Sequence, residues 1–291
     1  MNVRYELHHV TRYLYSEPVT SSQHDLHLVP CDSPRQRCTM AALEIEPAPS
    51  VCRDRVDYFG NRATHVALTT AHSRMTVTVR SRVEVTAPAP FSADDDLAWE
   101  DAAAEIAQPR SHLHVKEMTY PSPFVVPWEA LRLYARPCFP AGRPLLKGCL
   151  ALMARMHDDF TYDTRATTIA TPIEDVFSRR RGVCQDFSHL MIACLRSLGL
   201  AARYVSGYLA TTPPAGQPRL LGADASHAWI AVYSPRLGFV DLDPTNNLVV
   251  RDEHVTLAIG RDFGDVTPLR GVILGGGRHE LHVGVDVVPV E

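Results

Sequence analysis

A cysteine near the predicted start of a helix is the first candidate for chemistry in this 291-residue sequence. Cys184 is followed by apolar residues that recur at helical spacing until Gly199 ends the pattern. The first turn of a helix has N–H groups without partners and favours negative charge, so it stabilises a thiolate. The same groups could bind the oxyanion of a tetrahedral intermediate. A lone cysteine of this kind is more often structural, so the prediction that Cys184 is a nucleophile depends on its partners.

A histidine and an aspartate follow Cys184 on two predicted strands. His227 lies in the run Ser-His-Ala-Trp, and Asp243 precedes Pro-Thr at the end of the next strand. A cysteine, a base and an orienting acid form the triad of a thiol enzyme, in which the acid fixes the imidazole tautomer and stabilises its protonated form. Asp241 would point to the same side of its strand as Asp243, and it competes for the role of the acid.

Three residues near these motifs are predicted to contact a substrate. Gln185 follows the nucleophile, Trp229 shares a strand face with His227, and Tyr208 lies in the run Val-Ser-Gly-Tyr-Leu. Core packing is an alternative for Trp229 and the preferred interpretation for Tyr208. Tyr162 is a further aromatic residue that could face a cleft, and packing in the core is preferred for it as well.

The composition is that of an ordinary globular protein and disfavours several partners. The chain is 45% apolar and 21% charged, with a net charge of -4. It has no basic run, so nucleic acid is not an expected partner. No apolar run approaches the roughly 18 residues of a membrane helix, and the first residues lack the apolar core of a signal peptide. A cytoplasmic protein with no membrane partner is predicted, and a homo-oligomer is possible.

Cysteine and histidine usage gives no sign of a metal or a cofactor. The seven cysteines include no Cys-x-x-Cys pair, so neither a structural zinc site nor a disulfide framework is expected. The densest histidine groups, His8-His9 and His112-x-His114, have no acidic or cysteine partner at ligand spacing. Gly275–Gly277 is not followed by the Lys-Ser or Lys-Thr of a phosphate loop. Neither a metal nor an organic cofactor is therefore predicted.

Hydrophobic patterns divide the chain into a β-rich part and an α+β part. Residues 1–88 alternate apolar and polar side chains, most clearly in Arg74–Val85, and predict an N-terminal β-sandwich. Prolines and acidic residues in 89–125 predict a linker. Residues 126–270 combine helical spacing with later strands, which predicts an α+β core with an antiparallel sheet. Residues 271–291 contain one alternating strand, which needs a partner and is predicted to pair with the N-terminal domain.

Two runs of sequence around the candidate residues resemble the core of the bacterial transglutaminase-like superfamily. They read RRGVCQDFSHLMIACLRSLGLAARYVSGYL and DASHAWIAVYSPRLGFVDLDPTNN. The family's nucleophile, histidine and aspartate match Cys184, His227 and Asp243, and the position before Pro-Thr favours Asp243 over Asp241. The start of the chain, from HHVTRYLYSEPV to DYFGNRATH, is similar to the β-rich N-terminal domain that often precedes this core in bacteria.

The resemblance implies a papain-like core, in which a cysteine-bearing helix packs on an antiparallel sheet, without a metal or an organic cofactor. It implies thiol chemistry on amide bonds of a peptide or protein substrate. Hydrolysis, as by a cysteine peptidase or amidase, is the preferred reaction. Transfer of the acyl group to a primary amine, as by a transglutaminase, is the alternative. A binding or scaffold protein without activity is a third hypothesis, and the intact set of Cys, His and Asp argues against it.

Overall fold

The structure is a computed structural model that describes residues 2–108, 112–211 and 226–290. Asp224 and Ala225, at the start of the second motif run, lie outside the described residues. So do residues 109–111 of the predicted linker and the last residue of the predicted terminal segment. The described chain has the mixed α+β fold that the sequence predicts.

The N-terminal strands form one antiparallel sheet around a long central strand. The first half of β1 (Asn2–Leu26) pairs with β5 (His72–Thr86), and its second half pairs with β4 (Arg62–Leu68). β2 (Gln36–Glu46) lies beside β5, and β3 (Val51–Val56) lies beside β4.

A bend in β1 curves this sheet into a half-barrel. The pairing of β1 with β5 shifts register between Leu14 and Val19, and irregularities of this kind bend a strand. As the alternating pattern predicts, Met75, Val77 and Val79 of β5 are buried, and they pack in one cluster with side chains from β1 and β4. The predicted sandwich is therefore one continuous sheet, because β1 is long enough to serve both halves.

The segment 89–125, predicted to be a linker, contains two helices. They are α1 (Trp99–Ala107) and α2 (Leu113–Lys116). Apolar side chains of both helices are buried against the rest of the molecule, and they include Ala102, Ile106 and Val115. The linker prediction is wrong because apolar residues between the prolines still repeat at helical spacing and bury one face.

The core combines four helices with a five-stranded antiparallel sheet. The helices are α3 (Glu129–Ala135), α4 (Leu145–Asp159), α5 (Ile173–Arg179) and α6 (Cys184–Ser197). The strands of the sheet are β8 (Ala202–Leu209), β9 (Ser226–Ser234), β10 (Gly238–Asp243), β11 (Leu248–Val249) and β12 (His254–Gly260), in the order β11-β10-β9-β8-β12. The short strands β6 (Thr161–Tyr162) and β7 (Arg181–Gly182) pair in parallel just before α6.

The central helix α6 carries the cysteine and packs on the sheet. Its side chains from Phe187 to Leu195 are buried, and the helix contacts α3 on one side and strands β8 and β9 on the other. A cysteine-bearing helix on an antiparallel sheet is the arrangement that the sequence predicts. Among the helices of the described residues, none combines the length and the apolar character needed to cross a bilayer.

After the core, the chain returns to the N-terminal sheet. α7 (Phe263–Val266) precedes β13 (Leu269–Gly275) and β14 (His279–Val290), and these strands pair with the second and first halves of β1, respectively. The sequence predicts one strand here, and the structure has two. Buried side chains from both parts of the chain meet beside β14 in one cluster, which includes Tyr5, Leu7, Tyr208, Val255, Val285 and Val287.

Candidate active site

Cys184 is the first residue of α6, and a carboxylate fixes the turn that leads to it. Asp186 Oδ2 accepts hydrogen bonds from the Val183 N–H at 2.8 Å and from the Thr167 hydroxyl at 2.7 Å. A Cβ atom at Gly182 would lie 2.8 Å from the same oxygen, so only glycine allows this close approach. The negative charge of Asp186 in the first turn also favours the helix.

His227 connects Cys184 with Asp243. It lies near the start of β9, and its Nε2 atom is 2.7 Å from Oδ2 of Asp243. Cys184 lies close enough to the imidazole to raise the pKa of His227. The side chain of His227 is 9% exposed and that of Asp243 is fully buried, whereas Cys184 is half-buried. The three residues singled out in the sequence therefore lie together in the order thiol, imidazole, carboxylate.

Asp243 ends β10 and accepts hydrogen bonds at both of its oxygens. Oδ1 accepts the backbone N–H groups of Thr245 and Asn246 at 3.0 and 3.2 Å, as in the turns that Asp commonly forms. Oδ2 accepts the Asn246 amide at 2.7 Å and lies 3.1 Å from His254 Nε2. Burial would raise the pKa of this carboxyl, but its hydrogen bonds with His227, His254 and Asn246 hold the pKa well below its usual range.

The contact with Asp243 determines the charge of His227. Burial lowers the pKa of an imidazole, but hydrogen bonds to Asp243 and to Cys184 raise the pKa of His227 to about 10. At neutral pH the imidazole is therefore protonated and lies between a carboxylate and the thiol. A cation at this position favours the thiolate, which is the nucleophilic form of cysteine.

Asp241, the competing acid, has a different role. Its carboxylate accepts a hydrogen bond from Arg35 at 2.8 Å and from the Trp229 indole N–H at 3.3 Å. Asp241 thus links the N-terminal part of the chain to the core sheet, and among the described residues the acid that contacts His227 is Asp243. The aspartate that contacts His227 is thus the one that directly precedes Pro-Thr in the sequence.

The aromatic residues predicted to contact a substrate are buried. Tyr208 lies in the cluster between the two parts of the chain, and its hydroxyl is 2.8 Å from His9 Nδ1. The fully buried Trp229 packs beside His227 and His254, with ring centroids 6.1 and 5.0 Å away. The burial agrees with core packing, which the sequence favoured for Tyr208 and left open for Trp229, and neither side chain is exposed for contact with a substrate. The Trp229 ring meets the His254 ring edge to face, at 79°.

Two other residues beside Cys184 are accessible. Gln185 is half-buried and lines a cavity of about 290 Å³ together with Asp186 and His189, so its contact with a substrate stays a prediction. Tyr162, for which the sequence favoured core packing, is 52% exposed. Burial, and to a smaller extent the nearby Cys184, raises the pKa of Tyr162, and its ring centroid is 6.4 Å from that of Phe187 on α6.

Two other side-chain partners of Asp243, His254 and Asn246, were not predicted from the sequence. His254 follows Asp243 by eleven residues and has no recognisable motif, whereas Asn246 is part of the Pro-Thr-Asn run and could have been found there. The ligand-type atoms of His227, Asp243 and His254 lie within 4.8 Å of one another, the one such group of three among the described residues. Distances of 2.7 and 3.1 Å to Asp243 are those of hydrogen bonds, so a carboxylate between two imidazole donors accounts for the group.

Comparisons with known proteins agree with the fold and the motifs. The description "Bacterial transglutaminase-like N-terminal region" matches residues 5–84, and "Transglutaminase-like superfamily" matches residues 135–244. An uncharacterized protein of Mycobacterium tuberculosis is 41% identical over 295 residues, which cover 99% of this chain and 93% of the relative. An uncharacterized protein of Mycobacterium leprae is 30% identical and covers 96% of each chain.

Two further proteins bear on the class. The crystal structure named "Putative Cysteine Protease from Cytophaga hutchinsonii" superposes with a TM-score of 0.79, at 19% identity, over 100% of this chain and 92% of that chain. A protein-glutamine gamma-glutamyltransferase of Pseudomonas aeruginosa is 34% identical over 99 residues, 33% of this chain and 15% of that protein. The fold and site define a papain-like α+β protein with a thiol, an imidazole and a carboxylate in contact. The chain belongs to the bacterial transglutaminase-like superfamily.

Proposed function

We propose that this protein is a thiol-dependent amide hydrolase in which Cys184, His227 and Asp243 form the catalytic triad. The observation that carries the proposal is the position of the His227 imidazole, whose Nε2 atom lies 2.7 Å from the carboxylate and whose pKa is raised by Asp243 and by Cys184. The position of Cys184 at the start of a 14-residue helix supports its role as the nucleophile, because free N–H groups there stabilise a thiolate and an oxyanion.

The geometry supports a two-step mechanism. The Cys184 thiolate attacks the amide carbonyl carbon, and the His227 imidazolium gives its proton to the leaving amine as the C–N bond breaks. A thioester on Cys184 remains, and neutral His227 then takes a proton from the attacking water. Collapse of the second tetrahedral intermediate releases a carboxylic acid and restores the thiolate–imidazolium pair. Asp243 stays ionised throughout and keeps the imidazole oriented.

Amine transfer is the second candidate reaction, and it differs only in the group that resolves the thioester. A primary amine would replace water and form a new amide bond. The name of the Pseudomonas aeruginosa relative favours this candidate, although the similarity covers a third of this chain. A non-catalytic scaffold is disfavoured, because a scaffold has no need for a protonated imidazole beside an accessible thiol. The peptide or protein substrate, the cytoplasmic location and the homo-oligomer remain predictions from the sequence.

Mass spectrometry of a peptide library incubated with the protein, with and without a fluorescent primary amine, tests the proposal. Hydrolysis adds one water to the cleaved bond or converts a side-chain amide to an acid, whereas transfer adds the amine. Both products should disappear in Cys184→Ala and persist in Cys52→Ala, which removes an exposed thiol far from the motifs. Amine adducts in excess of hydrolysis products would favour transfer. Products that do not depend on Cys184 would exclude the triad mechanism.

A further inference from the structure

Asp243 is shared by two imidazoles. The same Oδ2 atom lies 2.7 Å from His227 Nε2 and 3.1 Å from His254 Nε2. His254 is the first residue of β12, its side chain is 1% exposed, and its ring centroid is 5.9 Å from that of His227. The ring contacts no reacting atom, so any effect of His254 on the reaction must pass through Asp243.

The hydrogen on His254 is fixed by its partner. An ionised carboxylate accepts hydrogen bonds and cannot donate them, so Nε2 of His254 carries the hydrogen. The bond to Asp243 is the one hydrogen bond that the ring makes with the described residues, and Nδ1 is buried without a partner. The edge of the ring packs on the Trp229 indole, with centroids 5.0 Å apart at 79°. With the ring packed in this way, its Nε2 atom faces Asp243.

We propose that His254 is a positioning residue that holds the Asp243 carboxylate against His227 and keeps it ionised. Three donors converge on one oxygen, namely His227, His254 and the Asn246 amide, and charged hydrogen bonds of this kind are among the stronger ones in proteins. Of these donors, His254 and the Asn246 amide take no part in proton transfer. The His254 donor is the more rigid of the two, because it belongs to a buried ring. The inference rests on the proposed function, and in it His254 keeps Asp243 in place beside His227.

The test is the pH dependence of Cys184 alkylation by iodoacetamide in the full-length protein. Without the His254 donor, Asp243 stabilises the His227 imidazolium less well, and the thiolate loses part of its counter-charge. In His254→Leu we expect the midpoint of alkylation to rise by about 1 pH unit and the rate at pH 6 to fall about tenfold. His254→Gln, whose amide can place an N–H near the same point, should restore most of the wild-type profile.

A matched control separates positioning from stability. His9→Leu removes another buried imidazole, which lies in the N-terminal part and contacts the Tyr208 hydroxyl. This substitution should lower the melting temperature without moving the alkylation midpoint. If His254→Leu does not fold, His254→Asn replaces it, since asparagine keeps the amide but holds it nearer the backbone. An unchanged midpoint in His254→Leu, or an equal shift in the Gln variant, would overturn the inference. Ordinary thiol reactivity of wild-type Cys184 would instead overturn the proposed function itself.

Discussion

His227 Nε2 lies 2.7 Å from Oδ2 of an aspartate, Asp243, that has no exposure to solvent. Burying a single charge is costly unless an opposite charge lies beside it, so the ionisation of His227 and that of Asp243 depend on each other. The carboxylate keeps the imidazole protonated. The pH behaviour of the protein should therefore report on this contact.

Replacing the acid should narrow the pH range of activity. In Asp243→Asn the neutral amide no longer stabilises the imidazolium, so the pKa of His227 should fall from about 10 by about 2 units. The high-pH limb of the kcat/KM profile should accordingly shift to lower pH, and activity at neutral pH should fall at least tenfold. Asp241→Asn, two residues earlier on the same strand, is the matched control and should leave this limb in place. Equal effects of the two substitutions would contradict the assignment of the acid.

The same contact makes stability depend on pH, with a sign that the pKa shift fixes. The pKa of His227 is about 10 in the folded protein and about 6.5 without the fold. Its contribution is therefore fully present below pH 6.5 and is lost as the pH rises through 10. Melting temperatures of the wild type and of His227→Gln should differ most below about pH 6.5 and converge toward pH 10. A difference that does not change with pH would mean that the imidazole is neutral in the folded protein.

Cys184 should be alkylated before the other six cysteines. Limiting iodoacetamide at pH 6, followed by peptide mapping, measures the selectivity. Burial raises the pKa of the Cys31 thiol to about 11, and it raises the pKa of Cys149 and Cys194 further. The exposed Cys52 has a pKa raised by burial and by Asp54, so it should react only at higher pH. Labelling of Cys52 ahead of Cys184 at pH 6 would show that the imidazolium does not activate the nucleophile.

The sequence was sufficient to single out Cys184, His227 and Asp243, because each lies in a short motif at a helix or strand end. It was not sufficient for their neighbours. Whether Trp229 and Tyr208 face solvent depends on what covers each face of the core sheet, and alternation along a strand does not show this. His254 was missed for a similar reason, since it begins β12 whereas Asp243 ends β10, and β8 and β9 lie between these strands in the sheet.

The N-terminal sheet was also harder to predict than the core. Alternation in β5 identified its buried face, but β1 serves two halves of the sheet, and its bend depends on pairing with four other strands. The segment 89–125 was assigned to a linker because prolines and acidic residues dominate its composition. Burial of a few small and apolar residues, such as Ala102 and Ile106, is enough to fix its helices on the core.

The final strand should connect the stability of the N-terminal sheet to that of the core. Val287 of β14 is fully buried in the cluster that joins Tyr5 of β1 to Val255 of β12, next to His254. Val287→Ala removes two methyl groups there and should cost about 2 kcal/mol, lowering Tm by about 5 °C. Val272→Ala is the matched control, because Val272 on β13 is 72% exposed and should change stability by less than about 0.5 kcal/mol.

All three tryptophans follow residue 98, so their fluorescence reports on the later part of the chain, whereas far-ultraviolet circular dichroism reports on both parts. Both signals should shift together in Val287→Ala, because the shared cluster makes the two parts unfold as one unit. A shift in circular dichroism with unchanged fluorescence would show that the N-terminal sheet unfolds independently and does not support the site.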